Sequence, residues 1–151
     1  MNLAKFYLAW EYAAEAYGPL NIAQSADPLL EQDAQWRTLR GAADIMMGRY
    51  EDAIKTLEHG NVRGDPAAAS WLGLAYAEIG DWRKSREAFI LAEPLINAHS
   101  PEWAARFHAA ASRAMIRMGD GGNAEAHALA AARGEDEKAA GHASLTLGEM
   151  A

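Results

Sequence analysis

The chain of 151 residues contains no cysteine, which excludes disulfide bonds and thiolate chemistry. It is also poor in strand signals, because valine occurs once, at Val62, and no run alternates apolar and polar residues cleanly. No stretch approaches about 18 uninterrupted apolar residues, so we expect no membrane insertion. Basic residues are outnumbered 14 to 21 by acidic ones. The resulting net charge of -7 argues against nucleic-acid binding.

The N-terminal region lacks the pattern of a secretion signal. Glu11 and Glu15 interrupt any apolar stretch that could serve as its hydrophobic region. We therefore expect no signal peptide, which favours the cytoplasm over the periplasm without fixing the compartment.

Half of the residues are apolar, and alanine is abundant between charged residues. This composition favours helices and allows a buried core in one domain of ordinary size.

A repeat is the main feature of the chain. Gly41, Gly48 and Leu57 recur as Gly73, Gly80 and Phe89, and aromatic residues follow the second glycine of each copy. The offset is 32 residues throughout. A period in the 30s with glycines at fixed places indicates helix–turn–helix units that stack on one another.

The best copy resembles the tetratricopeptide repeat (TPR) family, with Ser85 and Asn97 as departures from its pattern. A first copy lacks the glycines, and a fourth copy is degenerate, with Ala111 and Ser112 in place of Leu-Gly. The matching positions are Leu72, Gly73, Tyr76, Phe89 and Ala92; Leu3, Ala4, Tyr7, Ala16, Leu20, Ala23 and Pro28; and Gly119, Asp120 and Ala124.

The resemblance implies an all-α fold, a right-handed α–α superhelix of about four units over residues 1–134. It suggests a bacterial-type TPR protein or an excised fragment of one. For 135–151 we expect a capping helix or a disordered tail. The units are about 1–30, 33–62, 66–97 and 101–133, and the predicted helices are about 3–10, 12–25, 33–47, 50–59, 66–79, 82–97, 101–118 and 121–133.

Particular residues fit these boundaries. Asp33, Asp65 and Ser100 precede first helices, with Pro66 and Pro101 at first helical positions. Pro94 is expected to kink or shorten the sixth helix. Gly48, Gly80 and Gly119 fall where helices end and positive φ is expected. Gly73 is expected to contact Ala88 and Phe89, while Tyr76 and Phe89 are expected to be buried between units three and four.

Catalytic patterns are missing. The five histidines show no metal-ligand spacing, and we expect them to be exposed or half-buried on helices. The loop GDGGN at 119–123 has neither the preceding strand nor the following Lys-Ser/Thr of a phosphate loop, so a turn is the better interpretation. We expect no catalytic residue, metal or cofactor, and hence no enzyme.

The resemblance also implies that first helices line a concave groove that holds a peptide. An apolar middle and a basic stripe are expected there, formed by Leu39, Ile45, Met46, Trp71 and Leu74, and by Arg106, Arg113 and Arg117. We expect the Trp71 indole to be open to the partner. The alternatives are that the apolar residues are core and that the arginines form a solvated face with local ion pairs. Thr38, Ala42 and Leu74 stand where some relatives clamp a terminal carboxylate, so that clamp is absent.

The sequence thus predicts a non-enzymatic scaffold whose partner is a protein or peptide. The alternative is structural self-assembly as a homo-oligomer, since an incomplete first unit would expose an apolar edge.

Overall fold

The computed structural model describes residues 1–135, and within that range it is all-α, as predicted. A capping helix or a disordered tail was expected at 135–151, and residues 136–151 lie outside the described part of the chain. Two short 3₁₀ helices, Pro28–Gln32 and Glu93–Ala98, accompany the α-helices. The α-helices are α1 Asn2–Ala9, α2 Ala13–Ala26, α3 Ala34–Met46, α4 Tyr50–Leu57, α5 Pro66–Ile79, α6 Trp82–Ala92, α7 Pro101–Arg117 and α8 Gly121–Glu135.

The helix starts follow the predicted caps. The Asp33 carboxylate accepts a hydrogen bond from the backbone N–H of Trp36 at 2.7 Å, and that of Asp65 accepts from Ala67 at 2.9 Å. These bonds satisfy amides that have no partner within the first turn. Ser100 occupies the cap position of α7 but makes no side-chain hydrogen bond there.

The helix ends are also those that the sequence indicates. Gly48, Gly80 and Gly119 have φ angles of 73°, 81° and 78°, a region that a residue without a Cβ enters at little cost. Pro94 lacks the N–H that an α-helix needs, and α6 gives way at Ala92 to 3₁₀ geometry. The sixth α-helix is therefore shorter than the predicted 82–97.

The helices pack in consecutive pairs: α1 with α2, α3 with α4, α5 with α6, and α7 with α8. We call these the first to fourth pairs. The first helices of the pairs, α1, α3, α5 and α7, also contact one another in series. Each second helix contacts the first helix of the next pair. The first helices therefore share one layer, and the core lies between it and the second helices.

Within the first three pairs, a small residue on the first helix is matched by a large one 16 positions later. A Cβ on Gly41 would lie 2.5 Å from Cγ of Leu57, and one on Gly73 would lie 3.0 Å from the Phe89 ring. A larger residue at either position would have to displace the Leu57 or Phe89 side chain. The predicted contact of Gly73 with Phe89 is confirmed. We call the three matches the small–large pairs: Ala4/Leu20, Gly41/Leu57 and Gly73/Phe89.

Tyr76 and Phe89 are buried, as predicted, with 3% and 0% of their surface exposed. The predicted direction of Tyr76 is wrong, however. Its hydroxyl donates to the carboxylate of Glu58 at the end of α4, so Tyr76 joins the second and third pairs rather than the third and fourth. Burial and this hydrogen bond raise the pKa of Tyr76.

Candidate functional site

An open cleft lies where α3, α5 and α7 meet, and its volume is about 360 Å³. Five of the eight predicted groove residues line it: Ile45 and Met46 from α3, Leu74 from α5, and Arg106 and Arg113 from α7. The other lining residues are Tyr50, Glu78, Trp103 and Ala109. Most of the residues predicted for the groove therefore lie on one continuous surface. We call this surface the α3/α5/α7 cleft.

The two arginines of the cleft already have acidic partners within the chain. Arg113 lies 3.0 Å from Glu78 on α5, and Arg106 lies 3.3 Å from Glu11 in the turn between α1 and α2. The Arg106 guanidinium also lies over the Trp103 ring, 4.4 Å from its centroid. Glu11 has a φ of 59°, which is unfavourable for a residue with a Cβ. Arg106 and Arg113, which form the charged rim of the cleft, are therefore each paired with a carboxylate of the same chain.

Trp71 does not lie open in the cleft, and that expectation is wrong. Its side chain is 6% exposed. The indole centroid lies 4.7 Å from that of Trp103 and 4.9 Å from the Phe107 ring, both on α7. His99 contacts it edge-on at 5.8 Å. Trp71 is therefore core that joins α5 to α7, beneath the surface a partner would touch.

Leu39 and Arg117 also lie away from the cleft lining. Leu39 is partly buried and packs against the core of α3 and its neighbours. The Arg117 guanidinium lies 5.4 Å from the Trp82 ring centroid, at the start of α6. The three arginines predicted to form one basic stripe therefore do not share a surface. Arg106 and Arg113 line the cleft, whereas Arg117 packs over α6.

Four lining residues lie outside the eight named from the sequence: Tyr50, Glu78, Trp103 and Ala109. Trp103 precedes Arg106 by three positions, and residues at that spacing share a helix face, so the predicted arginine stripe itself pointed to it. Tyr50 had been assigned only to the repeat, as the aromatic residue after Gly48. Its place in the lining depends on how α4 starts beside α5 and α7, which no local pattern reveals.

A partly buried polar cluster joins α2 to α3 beside the cleft. The Tyr17 hydroxyl on α2 donates to the Asp44 carboxylate, and the Arg40 Nε lies 3.6 Å from that carboxylate. Arg40 also lies over the Tyr17 ring, 4.5 Å from its centroid. Burial is the main cause that raises the pKa of Asp44, and burial together with Asp44 raises that of Tyr17 to about 12. The cluster ties α2 to α3 immediately before Ile45.

The histidines behave in two ways. His59 is exposed, as expected, but His108 and His127 are buried at 4% and 7% exposure and contact each other. For these two the expected exposure is wrong, because α7 and α8 pack against one another along that face. Within residues 1–135, no group of three or more potential ligands is placed to hold a metal ion. His142 lies outside the described residues.

No protein-family model matches the chain, and no curated protein matches it. Among the residues described, none of the helices combines the length and the apolar character needed to cross a membrane.

Proposed function

We propose that the chain is a TPR-type protein, a right-handed superhelix of about four helix–turn–helix units, that binds a protein or peptide segment and catalyses no reaction. The small–large pairs and the positive-φ glycines that end α3, α5 and α7 support the repeat assignment. They occur at the spacing on which the resemblance was based.

The observation that carries the binding proposal is the α3/α5/α7 cleft. Its lining includes the apolar residues Ile45, Met46 and Leu74 and the aromatic residue Trp103. A volume of about 360 Å³ lies within the range of small ligand pockets. Such a space accommodates one or two side chains of a partner segment. Met and aromatic side chains adapt well to apolar partners of that kind.

The charged rim favours selectivity over affinity. Arg106 and Arg113 are each about half exposed, and exposed ion pairs contribute only about 0–1 kcal/mol. An acidic group on a partner would compete with Glu11 and Glu78 for them. We therefore expect apolar contacts to dominate affinity, while the arginines favour partners with a carboxylate beside the apolar side chain.

The test is to fill the cleft. Ala109 lines it and is partly buried, whereas Ala126 is exposed on α8. Tagged wild type, Ala109→Trp and Ala126→Trp would each be used to capture partners from a lysate, with thermal melts of all three. The proposal expects the wild-type partner to be lost only with Ala109→Trp, at an unchanged melting temperature. Equal capture by all three folded proteins would contradict it.

Self-assembly remains a second candidate because α1 carries an exposed apolar stripe. Leu3, Phe6 and Trp10 are 53%, 54% and 64% exposed and recur at helical spacing. A second copy that covers this stripe would remove large apolar surfaces from water. Light scattering over a range of concentrations tests it. The candidate expects a dimer that Phe6→Glu dissociates and Leu129→Glu on α8 does not, whereas a wild-type monomer at every concentration excludes it.

A further inference from the structure

Two buried histidines meet between α7 and α8. Nδ1 of His108 lies 2.8 Å from Nδ1 of His127, within hydrogen-bond distance. The outer nitrogens have their own partners on the 3₁₀ helix Glu93–Ala98. Nε2 of His108 lies 2.9 Å from Oδ1 of Asn97, and Nε2 of His127 lies 3.5 Å from a carboxylate oxygen of Glu93. Two imidazoles, an amide and a carboxylate thus form one chain of polar contacts.

The partners determine how protons are distributed in this chain. Because Oδ1 of Asn97 can only accept, Nε2 of His108 carries a hydrogen. A neutral His108 then has a lone pair at Nδ1, so Nδ1 of His127 supplies the hydrogen between the rings. At 2.8 Å there is room for one such hydrogen. A proton on both Nδ1 atoms would make His108 a cation and set two N–H donors head to head.

The surroundings offer little to stabilise a positive charge on His108. Burial, and next the charge of His127, lower the pKa of His108, and Glu93 opposes them. Arg133 on α8 and His99 line the same cavity of about 400 Å³ as His108, and neither supplies negative charge. A metal ion is a poorer occupant of the gap, because the Glu93 carboxylate faces the outer nitrogen of His127 and not Nδ1.

We propose that His108 and His127 form a pH-sensitive latch that holds α8 against α7 above about pH 6.5 and weakens as the pH falls. The terminal position of α8 among the described helices makes its release local, because α8 packs chiefly on α7. A further polar contact between the two helices is the hydrogen bond from the Ser112 hydroxyl to the Ala124 carbonyl, at 2.8 Å.

The direction of the effect follows from proton linkage. The pKa of His108 is lower in the folded chain than in the unfolded one. Between the two values the unfolded segment binds more protons than the folded one, so stability falls as the pH falls below about 6.5. One proton changes the opening equilibrium by at most about tenfold per pH unit.

Amide hydrogen exchange of α8, compared with α5 in the same sample, tests the latch. We expect the protection of α8, corrected for intrinsic exchange, to fall by up to about tenfold per pH unit between about pH 6.5 and 5. Protection of α5 should stay constant. The pH dependence should disappear in His108→Gln and persist in His59→Gln, a matched change at an exposed histidine.

Ring ¹⁵N shifts of the wild-type histidines give a second measurement that holds even if His108→Gln releases α8 at every pH. Above about pH 6.5 we expect Nδ1 of His108 to be unprotonated and Nε2 to be protonated. Nδ1 should gain its proton at the pH where α8 loses protection. A doubly protonated His108 near neutral pH, or α8 protection that tracks α5 throughout, would overturn the proposal.

Discussion

The first three helix pairs and the fourth solve the same packing problem with different chemistry. In the first three, the large member of each small–large pair, Leu20, Leu57 or Phe89, is completely buried. The fourth pair has Ser112 at the small position, and Ala128 stands 16 residues later, exposed. Within residues 1–135, the fourth pair thus has no large apolar residue at the position equivalent to Leu20, Leu57 and Phe89. The two histidines and the Ser112 hydroxyl make polar contacts between α7 and α8 instead.

One register persists through both regions. Ser85 donates to the carbonyl of Gly73, 12 residues earlier, and Ser112 donates to that of Ala124, 12 residues later, each at 2.8 Å. The helices of the third and fourth pairs thus approach at equivalent positions. The fourth pair therefore keeps the close approach of its two helices, but polar contacts stand where the first three pairs have apolar packing. Apolar packing is insensitive to pH, whereas a histidine contact is not.

The largest effect is expected where the two regions join. Trp71→Ala should cost about 3–5 kcal/mol, because it empties a buried site between α5 and α7. Trp10→Ala is the matched control, since Trp10 is 64% exposed, and it should cost less than about 1 kcal/mol. Urea denaturation of both variants measures the difference. Similar midpoints for the two would mean that α7 does not pack over Trp71.

A smaller effect should follow from adding one methyl group to a small–large pair. Gly41→Ala places Cβ within 2.8 Å of three Leu57 carbons, and the resulting overpacking should cost about 1–3 kcal/mol. Gly122→Ala on α8 meets no atom within 4 Å outside its chain neighbours and its own helix backbone, and it should stabilise the helix by up to about 1 kcal/mol. Thermal melts compare the two changes. Opposite signs support the packing of the second pair, and equal signs count against it.

The smallest expected effects compare the regions directly. Ser85→Ala and Ser112→Ala each remove one buried hydrogen bond to a carbonyl, and each should cost about 0.5–1.5 kcal/mol. Because both bonds join the helices of one pair at the same spacing, we expect similar losses in chemical denaturation. A loss for Ser85→Ala alone would show that the register of the third pair does not continue into the fourth.

Most helix boundaries could be predicted, because the residues that set them act locally. Asp33 and Asp65 start helices by accepting backbone hydrogen bonds, and Gly48, Gly80 and Gly119 end helices by adopting positive φ. Both effects involve only residues close in the sequence. The 3₁₀ helix Pro28–Gln32 was not predicted, since five residues carry no periodicity that distinguishes them from a loop. The repeat also indicated the Gly73–Phe89 contact, because its spacing is that of Gly41 and Leu57.

The candidate site could be predicted less completely. Arg106 and Arg113 are seven apart on one helix, so a shared face was readable. The burial of Trp71 could not be predicted in the same way, because it depends on how α7, which carries Trp103 and Phe107, packs against α5. The same holds for Glu11, which reaches Arg106 from a turn far away in the sequence. Contacts between distant pairs depend on how the pairs are arranged, and local spacing does not encode that.

Site-specific photo-crosslinking tests the central claim, binding in the α3/α5/α7 cleft, most directly. A benzophenone side chain would replace Tyr50, whose aromatic ring already lines the cleft, and, in a separate protein, Ala126 on the exposed face of α8. Both proteins would be irradiated in the same lysate after their melts are shown to match. The account predicts a discrete covalent product from position 50 and none from 126. A product from 126 alone would contradict it.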